Sequence, residues 1–101
     1  KKVSGLRIYN DSNEKMNLSI KNVDGSALVI SQFTLCGDTK KGRRPSFIHA
    51  APPKEGQRLY KYFISSLLKA GVPVESGEFG AMMDVELVNN GPVTFVLNSK
   101  D

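Results

Sequence analysis

Residues 52–73 constrain the fold more than any other stretch of the chain. Pro52-Pro53 opens it, Leu59, Phe63 and Leu67 recur every fourth residue beside Tyr60, Ile64 and Leu68, and Gly71 with Pro73 closes it. Proline is tolerated in the first helical turn, glycine accepts the left-handed cap beyond the last, and the i, i+4 spacing gathers the apolar side chains on one face. The spacing predicts one long helix with a face that must be covered. The rest of the chain offers strands to cover it.

Leu6-Arg7-Ile8-Tyr9 reads as a strand ending at Asn10-Asp11-Ser12-Asn13, and Met16, Leu18 and Ile20 alternate with Asn17 and Ser19 as a second strand, together a hairpin. Asn22-Val23-Asp24-Gly25 is a turn signal. Ala27-Leu28-Val29-Ile30 continues into Ser31-Gln32-Phe33-Thr34-Leu35 as a long strand that turns polar halfway, and residues 36–51 read as an extended loop. After the helix come Val74-Glu75-Ser76, a bend through Gly77 and Gly80, a strand with Met83, Val85 and Leu87 alternating against Asp84 and Glu86, and a last strand through Val93, Phe95 and Leu97. At least five strands and one long helix predict an α+β fold with a mixed or mainly antiparallel sheet, in a single domain over residues 1–101. The chain starts at Lys1 rather than Met, which points to a missing N-terminal portion.

Several function classes are excluded by what the chain lacks. No run approaches the length of a membrane span, and Lys1-Lys2-Val3-Ser4-Gly5 has no apolar core of a signal peptide behind it, so a cytoplasmic protein without a membrane role is expected. Cys36 and His49 are single of their kind, which leaves no ligand set for a Cys/His zinc site; no metal and no cofactor are expected. Residues 37–44 have two glycines but no Lys-Ser/Thr pair to hold nucleotide phosphates, and no Gly-x-Ser-x-Gly elbow is present. Asp84 and Glu86 fit the solvent side of their strand better than a catalytic carboxylate pair.

Charge is unevenly placed. Residues 1–74 hold 13 basic and 5 acidic side chains, residues 75–101 one basic and five acidic. Lys40, Lys41, Arg43 and Arg44 fall within five positions, as a solvated loop or as a contact for a nucleic-acid backbone. Two polar segments fit a plain structural role poorly. Ser31, Gln32 and Thr34 interrupt an otherwise apolar run, where each must find hydrogen-bond partners or line a cavity. Asn89-Asn90-Gly91-Pro92-Val93-Thr94 places a Gly-Pro peptide at a strand junction, the kind of bond that goes cis at modest cost.

These two segments resemble the SQxT and NxGPxT signatures of the D-aminoacyl-tRNA deacylases. The similarity is collinear over nearly the whole chain, through Lys15-Met16-Asn17-Leu18-Ser19, the run from Asp38 to Phe47, Ala50-Ala51-Pro52-Pro53, the run from Gly77 to Met83, and Phe95-Val96-Leu97. It implies the barrel-like fold of that family, with the family's N-terminal strand and helix not found ahead of Leu6. It also implies hydrolysis of the ester joining a D-amino acid, or glycine, to the terminal adenosine of tRNA, a proofreading reaction in which the ribose 2′-hydroxyl assists. Catalysis would then rest on position and backbone hydrogen bonds, which suits a chain so poor in reactive side chains.

The resemblance assigns residues. Ser31, Gln32, Phe33 and Thr34 form the catalytic segment, with Thr34 in the pocket wall rather than a nucleophile. Gly91 and Pro92, cis and inserted into the other subunit's site, reject L side chains sterically, which requires a homodimer. Asn89, Val93 and Thr94 support substrate binding, Phe79 and Met83 flank the terminal adenine or pack in the core, and Lys40, Lys41, Arg43 and Arg44 contact tRNA. Two other readings stay open: a non-catalytic RNA- or DNA-binding relative, and a variant with trans Gly-Pro that acts on L-aminoacyl-tRNA.

Overall fold

The computed structural model describes residues 1–91 and 93–100. In chain order it has a single helical turn α1 (Lys2–Gly5), strands β1 (Tyr9–Asn10), β2 (Met16–Leu18) and β3 (Ala27–Val29), a 3₁₀ turn (Phe33–Cys36), the long helix α2 (Pro53–Lys69) and strand β4 (Val74–Ser76). The fold is α+β, with small sheets and one long helix.

Helix α2 forms where the pattern predicts it. Pro53 occupies the first turn, Glu55 lies in the positive end of the macrodipole and Lys69 in the negative end. Its C-terminus closes in a Schellman motif: the Val72 N–H donates to the Leu67 carbonyl at 3.0 Å and the Gly71 N–H to that of Leu68 at 3.0 Å. Gly71 has φ +89°, a conformation that side chains with a Cβ adopt only at a cost. The motif brings the positions of Leu67 and Val72 together, and these are the two buried apolar residues among the described ones, 6% and 1% exposed. The apolar stripe has thus found its cover around the last helical turn.

From there the chain runs into β4, which pairs in parallel with β3, Ala27 opposite Val74 and Val29 opposite Ser76. Parallel neighbours need a long crossover, and α2 is its core. Tyr60 ties helix to strands: its hydroxyl lies 3.2 Å from the Val29 carbonyl and 3.0 Å from that of Gly77, and can donate to either. A tyrosine in an apolar stripe is half-buried, so its O–H has to find a partner there.

The hairpin at the N-terminal end is present but short. β1 pairs antiparallel with β2, with a bulge between Tyr9 and Asn10. Asp11 organises the turn, accepting hydrogen bonds from the amides of Asn13 at 2.8 Å and Lys15 at 3.1 Å and from the Asn17 side chain at 2.8 Å.

Three strand expectations need correction. β3 does not run on through Leu35: it stops at Val29, and Phe33–Cys36 turn as a 3₁₀ helix. Side-chain hydrogen bonds compete with a ladder here, the Gln32 amide donating to the Thr34 hydroxyl at 2.5 Å. The strands through Met83–Leu87 and Val93–Leu97 do not form among the described residues. A strand exists only beside a neighbour that takes its hydrogen bonds, and neither two-stranded sheet accepts a third member. The expected single sheet of five or more strands is replaced by one antiparallel pair and one parallel pair. Met82, Val88 and Val96 are consequently 102%, 95% and 94% exposed. The chain leaves 9048 Å² accessible, against about 5,700 Å² for a typical folded chain of its mass.

Candidate functional site

The segment 31–37 is a tight turn hung from the end of β3. Ser31 is half-buried while Gln32, Phe33 and Thr34 face solvent. The Gly37 N–H donates to the Thr34 carbonyl at 3.0 Å and that of Leu35 to Gln32 at 3.4 Å. Phe33 meets Phe47 edge-on, ring centroids 5.1 Å apart, a favoured arrangement for aromatic quadrupoles. A Cβ at Gly37 would lie 3.0 Å from both the Phe47 ring and the Thr34 carbonyl, so a side chain here would crowd both.

Phe47 belongs to the base of a basic finger. Asp38 and Ser46 form an isolated antiparallel bridge, Asp38 N to Ser46 O at 2.7 Å and Ser46 N to Asp38 O at 2.9 Å, and the Lys40 N–H donates to the Asp38 carboxylate at 2.9 Å. Lys40, Lys41, Arg43 and Arg44 lie in the tip, all exposed. The finger is pinned at its neck rather than loose, and its neck rests on the 31–37 turn.

The second polar segment stands apart. The Asn89 side-chain amide reaches the Thr94 hydroxyl at 3.4 Å, drawing together the ends of the Gly-Pro turn. Gly91 is exposed, and Val93 is half-buried. Pro92, and with it the cis or trans state of its peptide bond, lies outside the described residues. Among the described residues no hydrogen bond joins residues 31–37 to 89–94. Phe79 packs on α2, its ring 5.6 Å from that of Tyr60 and above Gly56, where a Cβ would lie 3.2 Å away. Met83 reaches back over Gly77 and stays partly exposed. Two shallow clefts, of about 190 and 310 Å³, are lined by residues at the N-terminus and α2 and by residues 21–25 and 71–73, and take nothing from either polar segment. Nor does any group of three or more His, Cys, Asp or Glu assemble among the described residues.

A turn with exposed backbone groups, a Gly-Pro loop and a basic finger have little meaning as separate parts. The model of the D-Tyr-tRNA(Tyr) deacylase family matches residues 1–98. The chain belongs to that family. It is 57% identical over 100 residues to the D-aminoacyl-tRNA deacylase of Desulfatibacillum aliphaticivorans, covering 99% of this chain and 68% of that protein. It is likewise 57% identical over 99 residues to the one of Thermodesulfovibrio yellowstonii, covering 98% and 68%. Among solved structures, the c-Myc DNA Unwinding Element Binding Protein superposes with a TM-score of 0.80 at 35% identity, over 91% of this chain and 63% of that one. The chain spans about two thirds of the length of the curated relatives it matches.

As a deacylase-family chain it falls among hydrolases of ester bonds, in a family that acts on aminoacyl-tRNA. No helix among the described residues is long and apolar enough to cross a membrane. The residues that hold the 31–37 turn in place were not singled out by sequence. Tyr60 fastens the end of β3 just ahead of Ser31, Phe47 supports Phe33, and Gly37 permits that contact. The signal for Tyr60 was available, since a hydroxyl within an apolar helical stripe needs a partner. Nothing comparable marks Gly37.

Proposed function

We propose that this chain carries the hydrolytic site of a D-aminoacyl-tRNA deacylase, acting as one domain over residues 1–101. The observation that carries the reading is its collinear 57% identity to proteins of that name, running through both polar segments. Water attacks the ester carbonyl, the bond to the ribose 3′-oxygen breaks, and a proton passes to that oxygen, freeing the amino acid and intact tRNA. An aminoacyl ester is already activated, so the enzyme's share is orientation and polarisation. Backbone groups of Ser31, Gln32 and Phe33 hold the substrate amine and ester, Thr34 lines the pocket wall, and the ribose 2′-hydroxyl positions the water.

Selectivity rests on Gly91 and Pro92 as a cis wedge that leaves room for hydrogen or a D side chain and collides with an L one. Asn89, Val93 and Thr94 support substrate binding beside the wedge; the Asn89–Thr94 hydrogen bond, which draws two of them together, is in keeping with this. Phe79 and Met83 flank the terminal adenine, and the finger at Lys40, Lys41, Arg43 and Arg44 contacts the tRNA backbone. The wedge comes from the second subunit of a homodimer with a barrel-like arrangement of sheets. The large accessible surface and the uncovered side chains of residues 81–99 support a partner there. The enzyme works in the cytoplasm.

The structural likeness to the c-Myc DNA Unwinding Element Binding Protein favours a second reading, a DNA-binding relative that uses the same finger. Incubation with D-Tyr-tRNA, L-Tyr-tRNA and Gly-tRNA separates the two. Rapid ester loss from the first and third is expected. Loss of all three only at the rate seen in buffer would sink the deacylase, and rapid loss from L-Tyr-tRNA would point to a trans Gly-Pro. Gly91→Ala should cost about 10²-fold in rate, the effect of a misplacement of roughly 1 Å.

A further inference from the structure

We propose that the outer face of α2, with Lys54, Arg58 and Lys61, is an RNA-phosphate contact in addition to the basic finger. At 100° per residue these three side chains fall within about a 60° arc, opposite the stripe of Tyr60, Phe63 and Leu67. All three are exposed. Ordinary helix electrostatics does not account for them. Lys69 suits the negative end of the macrodipole, but Lys54 stands in the first turn, where a cation is unfavourable. Glu55 pairs with Arg58 at 2.5 Å and leaves the arc with a net positive charge.

Both basic elements are fastened to the same short piece of chain. The finger rests on Phe33 through Phe47, rings 5.1 Å apart. The helix rests on Val29 through the Tyr60 hydroxyl at 3.2 Å. The seven residue steps from Ser46 to Pro53 span at most about 25 Å. Lys54, Arg58 and Lys61 lie across the helix from Tyr60, so a duplex held on them is separated from residues 29–34 by the width of α2. The choice of RNA rests on the deacylase reading; the contact itself is a matter of charge and placement.

The test is binding of the protein to an uncharged acceptor-stem RNA minihelix across 50–200 mM salt, followed by fluorescence anisotropy. Changing Lys54, Arg58 and Lys61 together to Gln should lower the slope of log K against log salt by about 3, roughly one per phosphate contact. The loss of affinity over that salt range then shrinks about 60-fold. Lys54→Arg with Lys61→Arg should retain the wild-type slope. Hydrolysis of D-tyrosyl-adenosine, which has no stem, should be the same in the Gln variant and the wild type. A wild-type slope in the Gln variant overturns the proposal. The slope change in a protein that leaves D-tyrosyl-adenosine intact keeps the contact and removes the deacylase reading.

Discussion

Residues 53–76 and residues 81–99 both carry apolar side chains in a regular pattern, yet the first buries two of them fully, with Leu59, Phe63 and Leu68 still 44% to 54% exposed, while among the described residues the second buries none fully. In the first, an i, i+4 stripe ends in a Schellman motif, and Leu67 and Val72 are covered. In the second, alternating Val85, Leu87, Phe95 and Leu97 remain 44% to 68% exposed. A helix satisfies its own backbone and needs a neighbour for one face only. A strand needs a neighbour for its backbone as well, so the same apolar content stays open until another edge arrives.

The sharpest way to break this contrast is to truncate one side chain from each stretch. Leu67→Ala should cost about 2–4 kcal/mol, the transfer loss plus the cavity left behind. Val96→Ala should stay within about 0.5 kcal/mol, as for any exposed position. Urea titration of both variants measures the difference. Comparable losses would mean that residues 81–99 bury their side chains in solution, and a loss at Val96 that grows with protein concentration would place the cover in a second copy.

The fastening of the ordered half gives a smaller effect. Tyr60→Phe removes the hydroxyl beside the Val29 and Gly77 carbonyls, and should cost about 1 kcal/mol. Faster amide exchange at Ala27 and Val29 in this variant, with α2 unchanged, would confirm that Tyr60 holds the β3–β4 pair to the helix. A uniform change over the whole chain would show instead that the contact carries no local role.

Legibility followed the range of each signal. Helix α2 was readable because proline and the apolar repeat lie within it and Gly71 just beyond its C-cap. The hairpin around Asp11 and the turn at residues 22–25 were readable for the same reason. The strands at Met83–Leu87 and Val93–Leu97 were misread because alternation records two faces but not whether a partner edge is present. Ser31–Leu35 was misread as strand because the bond between Gln32 and Thr34 leaves no mark in hydropathy. The candidate site was legible only through resemblance: positioning by backbone groups uses ordinary residues, and no spacing of Ser, Gln and Thr announces it. The coupling of Phe33 to Phe47 and of Val29 to Tyr60 spans 14 and 31 residues, beyond any local pattern.

The smallest effect concerns how a turn is held, and it extends the contrast to the two ends of the chain. At residues 11–17 one carboxylate collects three hydrogen bonds, whereas among the described residues of 89–94 one side-chain hydrogen bond, from Asn89 to Thr94, is present. The Asn17 amide first, then the backbone amides of Lys15 and Asn13, hold the Asp11 carboxyl below its ordinary value of 3.8. A folded value below the unfolded one means that the ionised form is what the hairpin binds. Its contribution is complete above the unfolded value and disappears as pH falls through the folded one. The group lies half-buried at the surface in a local turn, so the change should loosen the turn without unfolding the chain. The amide proton shifts of Asn13 and Lys15 should titrate together with a midpoint below 3.8, while those of α2 stay still. In Asp11→Asn that titration should vanish, and its survival would assign the acid dependence to another group.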